Sequence, residues 1–350
     1  MKIDRRVLLG GMLAAGALGT RAAAVRAAEP GVSDVVLPRL AGHHRVIIDT
    51  DPGNDDAIAI LMALSAPSLS VEAITVAPGN IRYDQEVRNA LFVVELAGQA
   101  GRIPVHRGMT HPIMDRPYAT ATFIHGRDGL GDFEVPPVKQ QPDPEHAVEA
   151  IRRIVRQHPG EVVILALGSL SNVAMALLLD PAIAPMLKGI QFVAGAGNAV
   201  PPFNAMADPE AADIVFRSGA PITFGLGGPT DSILTREDFA HIATFDTPRS
   251  RFFMRSNQKR LDFEMSARNA PGSVNGDPLA TAMLIDPAVG IAFKAIHARV
   301  ELEGQWTRGD ILYGENRYNM QPTLPPNANL CVKADNERFK RILFDTLRRS

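Results

Sequence analysis

Short runs of consecutive apolar residues alternate along the chain with longer stretches in which apolar residues recur every three or four positions. Val46-Ile47-Ile48 is the first run, and a helical pattern follows it from Asp55 to about Ser65. The alternation repeats as Val71–Val76 and a helix through Val87, Leu91 and Leu96, then as Ile103–His106 and a helix from Pro144 to His158. Glu161–Leu167 precedes a helix from about Ser171 to Leu179, and Ile190–Ala194, a helix from Pro209 to Ser218 and Pro221–Phe224 continue the series. The run at 161–167 is apolar almost throughout, as a strand covered on both faces must be. Strands alternating with helices imply right-handed crossovers, and so an α/β fold. We expect a single Rossmann-like domain with an open, mainly parallel (mixed) sheet and helices on both faces. Ligands of such sheets sit beyond the carboxyl ends of the strands, where the active site is expected. Residues 235–271 lack strand character and read as a helical insertion or flap.

The first 28 residues follow another pattern. Lys2 and the pair Arg5-Arg6 precede an apolar run from Val7 to Gly19, and small, Ala-rich residues lead to Glu29. That is the order of a secretory signal, and paired arginines before Val7-Leu8-Leu9 point to the twin-arginine type. The thirteen-residue run falls short of the ~20 residues that span a bilayer. Residues 1–28 are therefore expected to be removed, leaving 29–350 as one periplasmic or secreted domain with no membrane attachment.

Composition narrows the class. Lys and Arg number 36 against 38 Asp and Glu, so no basic field invites nucleic acid as a partner. With 46% hydrophobic and 21% charged residues, the 350-residue chain can bury a full core. Its single cysteine, Cys331, excludes an internal disulfide, a cysteine-rich zinc site and a CxxC motif.

The densest chemistry is Asp49-Thr50-Asp51-Pro52-Gly53-Asn54-Asp55-Asp56, four carboxylates where the first strand ends and its helix begins. Pro52-Gly53 turns the chain, so Asp51 and the Asp55-Asp56 pair can face one small volume. Carboxylates ~4 Å apart repel strongly once water is excluded, so either some are protonated or a cation lies between them. Oxygen ligands without nearby His or Cys suit calcium or magnesium rather than zinc. Helix capping by Asp55 and a dipole role for Asp56 would explain two of the acids but not Asp49 and Asp51.

At this octet the sequence resembles the nucleoside hydrolase family of inosine-uridine-type ribohydrolases, whose signature is D-[TC]-D-P-G-x-D-D. The resemblance covers about residues 45 to 345. It includes Thr75-Val76-Ala77-Pro78-Gly79-Asn80, the loop His125-Gly126-Arg127-Asp128-Gly129-Leu130-Gly131, Leu167-Gly168-Ser169-Leu170-Ser171-Asn172, Gly197-Asn198, Phe203-Asn204 and Asp277-Pro278-Leu279-Ala280. It implies hydrolysis of a ribonucleoside to ribose and free base with one bound calcium. By position, Asp51, Asp56, Asp277 and the Leu167 carbonyl would hold the calcium. Asp55, Asn80 and Asn204 would bind ribose hydroxyls, with Asn198 near the 5′-hydroxyl, and Asp51 would be the general base for a calcium-held water. The resemblance also implies a homodimer or homotetramer.

Two departures bear on the leaving group and the sugar. Pro202 stands where many members carry Glu, in a loop two residues shorter, which removes the usual carboxylate from the 5′ side. Gly276 replaces a histidine that serves one subgroup as acid, and glycine has no proton to give. His125 is then the candidate for protonating the departing base. The single tryptophan, Trp306, cannot supply the paired stack of purine-selective members. A haloacid-dehalogenase-type phosphatase fits poorly with Pro52 in the nucleophile loop, and no G-x-S-x-G supports a serine hydrolase. The competing reading is an exported calcium-dependent ribose or nucleoside binder with weak or no hydrolase activity. At Asp208-Pro209 the helix-cap reading wins over a site role, and His43, His44, His146 and His158 read as solvated residues flanking elements.

Overall fold

Alternate residues of the first strand face opposite ways, and both ways are buried. In a computed structural model that describes residues 40–114, 120–196, 200–313 and 324–350, strand β1 (His44–Thr50) sends Val46 and Ile48 into one apolar cluster and Ile47 into another. The two-residue side-chain period explains this division, and burial on both faces explains why the run shows no polar alternation.

Chain order continues α1 (Asn54–Ser65), β2 (Leu69–Val76), α2 (Tyr83–Leu96), β3 (Val105–Arg107), α3 (Thr122–His125), α4 (Ala147–Gln157), β4 (Val162–Ala166), α5 (Ser171–Leu179), β5 (Gly189–Phe192), α6 (Phe203–Ala207), α7 (Pro209–Arg217) and β6 (Ile222–Phe224). Then come β7 (Ile233–Leu234), α8 (Arg236–Ala243), α9 (Pro248–Ala267), β8 (Ser273–Val274), α10 (Gly276–Ile285), β9 (Gly290–Ile296), β10 (Ala298–Val300), β11 (Ile311–Tyr313), β12 (Ala328–Ala334) and α11 (Asn336–Leu347).

Among the described residues, eight strands form one sheet in the order β3-β2-β1-β4-β5-β6-β12-β9, and every neighbouring pair is parallel except β12 with β9. The expected mixed α/β sheet is thus present, with β1 central between β2 and β4. Strands β4 and β1 divide alike: Val163 and Leu165 join the cluster of Val46, while Ile164 and Ala166 join that of Ile47. Helices α1, α2, α9, α10 and α11 supply the first cluster, and α4, α5 and α7 the second.

The elements read from the pattern are present with small boundary shifts. Strand β3 starts only at Val105, because Pro104 has no N–H for a ladder bond. Residues 235–271 carry the expected helices, α8 and α9, joined by Phe239 packed on Phe253 at 5.0 Å between centroids. Among the described residues no helix is long and apolar enough to cross a membrane. The proposed signal at 1–28 and Asn198 lie outside the described residues.

Of the histidines read as solvated flanks, His146 is exposed at the start of α4 and His44 is not. His146 N-caps α4, its Nδ1 accepting from Val148 N at 3.3 Å. His44 is fully buried with both ring nitrogens unpartnered, and burial, helped by Lys188 and His43, pulls its pKa down to about 4.

Candidate active site

The carboxyl end of β1 opens directly into the acidic octet, and the fold brings three further carboxyl-end segments to it: the turn after β2, the turn after β4 and the start of α10. Asp51, Asp56, Asn80 and Asp277 are at most 5% exposed, and Asp55 8%. Asp55, Asp56 and Asp277 place carboxylate oxygens within 4.8 Å of one another, although Asp277 is far away in sequence. Asp277 is not a helix cap: α10 begins at Gly276, and its carboxyl turns into the cluster. Nor does Asp55 cap α1; it is Asp56 that accepts from Gly53 N at 2.9 Å. Asp208 does cap α7, accepting from Ala211 N at 3.1 Å, and also takes Ser171 Oγ at 2.6 Å.

Asp51 is the least satisfied acid of the cup. Neither of its carboxylate oxygens has a hydrogen-bond partner, although the side chain is fully buried. Room for it comes from two glycines. A Cβ on Gly79 would stand 1.7 Å from Asp51 Oδ2, and one on Gly168 would stand 2.5 Å from Oδ1. Burial, then the charges of Asp56, Glu86, Asp277 and Asp55, push the Asp51 pKa well above the carboxylate range. Burial and the charges of Asp55 and Asp56 do the same to Asp277, and Asp56 is raised to about 6 by burial and Asp55. Like charges so placed ask for a positive partner.

The remaining groups orient this cup. Asp56 accepts from Thr50 Oγ1 at 2.6 Å and from Asn80 Nδ2 at 3.1 Å, while the same Asn80 amide donates to the Asp51 carbonyl at 3.0 Å. Glu86 holds the Asn80 turn by accepting from Ile81 N at 3.0 Å, and burial raises its pKa to about 8. Asp49 serves the scaffold: it takes Thr75 Oγ1 at 2.6 Å and Asn172 Nδ2 at 2.9 Å, joining β1 to β2 and α5. The Leu167 carbonyl accepts from the Asn204 amide, which also donates to the Val193 carbonyl at 3.0 Å. A carbonyl has a second lone pair, so this bond leaves Leu167 able to ligate.

His125 ends α3 and is 5% exposed; its Nδ1 lies 3.7 Å from Asp55 Oδ1. Burial pulls its pKa down to about 4 against the opposing pull of Asp55, with Arg260 and Arg268 adding to the lowering, so the ring is neutral near pH 7. Arg260 was not foreseen. It is a buried cation on α9 with Nη1 2.7 Å from Asp55 Oδ2. Burial pushes Asp55 up, but Arg260 and His125 more than reverse that and hold it below the usual range. One arginine in a polar helix carries no mark in the sequence; Gly79 and Gly168 did, inside the motifs already quoted. Trp306 is 83% exposed in the turn between β10 and β11.

The donor set suits a hard divalent cation. It is all oxygen, it includes two orphaned buried carboxylate oxygens, and two glycines keep the space beside them open. A second grouping, His106, Asp143 and Glu145 near β3, is partly engaged already: His106 Nδ1 lies 2.9 Å from the Glu145 carbonyl and Arg153 pairs with the Glu145 carboxylate at 2.7 and 2.9 Å, while the buried His106 Nε2 has no hydrogen-bond partner.

An acidic, oxygen-lined cup that could hold a metal ion, at the carboxyl edge of a mainly parallel sheet, is the arrangement of an α/β enzyme. The chain belongs to the inosine-uridine preferring nucleoside hydrolase family, whose model matches residues 46–341. It is similar to uridine nucleosidase 1 of Arabidopsis thaliana, 35% identical over 272 residues that cover 76% of this chain and 80% of the relative. It is 34% identical to the inosine-uridine preferring nucleoside hydrolase of Crithidia fasciculata over 313 residues, 87% of this chain and 98% of that one. Among solved structures, the plant nucleoside hydrolase PpNRh1 superposes with a TM-score of 0.80 at 31% identity, covering 88% of this chain and 99% of that chain. The protein is therefore a hydrolase of N-glycosyl compounds, and its family cleaves ribonucleosides.

Proposed function

We propose that the protein hydrolyses ribonucleosides to ribose and free base with calcium in the acidic cup, and that Asp51 is the general base. The observation that carries this reading is the Asp51 carboxylate, fully buried, without a hydrogen-bond donor, and given space by Gly79 and Gly168. Asp51, Asp56, Asp277 and the Leu167 carbonyl would hold the ion. Calcium, when bound, supplies positive charge that returns these acids to their ionised forms and orders water and sugar hydroxyls beside them.

The chain's own groups then divide the work. Asp51 takes a proton from the attacking water. Asp55 (kept ionised by Arg260), Asn80 and Asn204 bind ribose hydroxyls, with Asn198 toward the 5′ side. Ionised carboxylates under the ring also stabilise the positive charge that develops on the sugar as the glycosidic bond breaks. His125 contacts the base. Pro202 in place of the usual acid opens the 5′ side to modified ribosides, and the lone exposed Trp306 supports base recognition without an aromatic sandwich.

The test is a hydrolysis panel of purine and pyrimidine ribonucleosides on the mature protein, with and without chelator. Turnover that a chelator abolishes and calcium restores supports the proposal; turnover indifferent to chelation overturns the calcium assignment. We further propose twin-arginine export of residues 29–350 and assembly as a homodimer or homotetramer. N-terminal sequencing of the exported protein and light scattering check these.

A further inference from the structure

Arg260 reaches more than Asp55. Its Nε and Nη2 donate to the Val274 carbonyl at 3.1 and 2.7 Å, and its Nη1 donates to Asn54 Oδ1 at 3.0 Å. Asn54 opens α1, and its Nδ2 donates to the Ser256 carbonyl at 3.2 Å. A guanidinium only donates and a carbonyl only accepts. The Asn54 amide therefore has one orientation, with oxygen toward Arg260 and nitrogen toward Ser256.

That same oxygen lies 2.8 Å from His125 Nδ1. An amide oxygen facing a ring nitrogen at this distance requires a proton on the nitrogen. The Asn54 backbone N–H also approaches Nδ1, at 3.3 Å, and would need that nitrogen bare. The shorter contact decides, because a bare Nδ1 would set two lone pairs against each other at 2.8 Å. A neutral ring with its proton on Nδ1 has an acceptor at Nε2, and among the described residues no side chain or backbone group bonds Nε2.

We infer that Asn54 and Arg260 are positioning residues that fix His125 as its Nδ1–H tautomer and leave Nε2 as a hydrogen-bond acceptor for the substrate. The inference rests on the site being a nucleoside pocket only for what Nε2 meets. In its neutral form His125 then favours a leaving base that offers an N–H or amino donor, and gives nothing to 4-nitrophenolate, which offers only acceptors.

The experiment is nitrogen-15 NMR of the full mature chain labelled at histidine, with calcium present, near pH 7.5, with His125 assigned by its loss in His125→Gln. The expected spectrum has a pyrrole-type Nδ1 and a pyridine-type Nε2. Asn54→Leu should shift the ring to the Nε2–H form or a mixture, and Arg260→Gln should give a mixture that Arg260→Lys, a donor only, reverts. Asn54→Leu should also lower kcat/KM on uridine about tenfold more than on 4-nitrophenyl riboside, the scale of one lost hydrogen bond. A dominant Nε2–H form in the unaltered protein overturns the inference, as does an unchanged tautomer in a folded Asn54→Leu protein. Should that variant fail to fold, the spectrum of the unaltered protein and the Arg260 pair decide. The tautomer is read without turnover, so a failure of the hydrolase proposal and a failure of this one are separate results.

Discussion

The Cα of Gly79 lies so close to Asp51 that a Cβ built on it would stand 1.7 Å from the carboxylate Oδ2. The turn after β2 therefore fixes where the base can be. Gly79→Ala should push Asp51 out of place and cut kcat by about 100-fold, the usual cost of a misplacement near 1 Å. Steady-state kinetics beside a thermal melt separates this from unfolding. A folded variant with near-normal kcat would mean that Asp51 does not work from this position.

Asp51→Ala removes the proposed base while leaving the two glycines in place. Turnover of nucleosides should disappear. Activity within about tenfold of the unaltered enzyme would exclude general-base catalysis by this residue, since such catalysis contributes at least ~100-fold.

Calcium should raise the melting temperature of the unaltered protein, because an ion that binds only the folded state stabilises it by mass action. Asp56→Ala should lose most of that rise. Melting curves at matched calcium concentrations check this, and an equal rise in both proteins would remove Asp56 from the ligand set.

His125→Ala should cost inosine and uridine about tenfold more in kcat/KM than 4-nitrophenyl riboside, since these bases carry an N–H that His125 Nε2 can accept and 4-nitrophenolate carries none. Parallel assays on the three substrates suffice. Equal losses would take His125 away from the departing base.

His44, at the opposite end of β1 from the acids, sets an acid limit on stability. Unfolded, it gains a proton near its ordinary pKa of 6.5; folded, it gains one only near 4. Acidification through that window therefore favours the unfolded chain, and the stability that neutral His44 permits is lost as pH falls from 6.5 toward 4. Denaturant titrations across this range should show a shallower loss for His44→Leu than for the unaltered protein. Identical slopes would mean that another group governs the acid limb.

The sheet was legible as far as Phe224 because each strand there is a short apolar run followed by a helical pattern. Beyond it, β9 and β12 were missed: both carry a lysine, Lys294 and Lys333, and β9 is a half-exposed edge. The octet and Asp277 were legible through motif spacing, and their convergence is now seen in the geometry. Arg260, Asn54 and Glu86 were not. Their work depends on which carbonyls and carboxylates lie opposite them, and a linear string does not record opposition across 200 residues of chain, as between Asn54 and Arg260 at |i−j| of 206.

Strand β12 lies between β6 and β9, although it is the last strand in the chain. Synthesis therefore finishes the sheet from its interior: until residues 328–334 emerge, β6 has one bare flank and β9 has no neighbour to pair with. A ribosome that stalls late, or a protease that trims the tail, leaves the β6 flank and both flanks of β9 open, where the intact sheet leaves only the outer flank of β9 open at that end, and such edges invite pairing between chains. Loss of the C-terminal few dozen residues should thus yield aggregates rather than a smaller working enzyme.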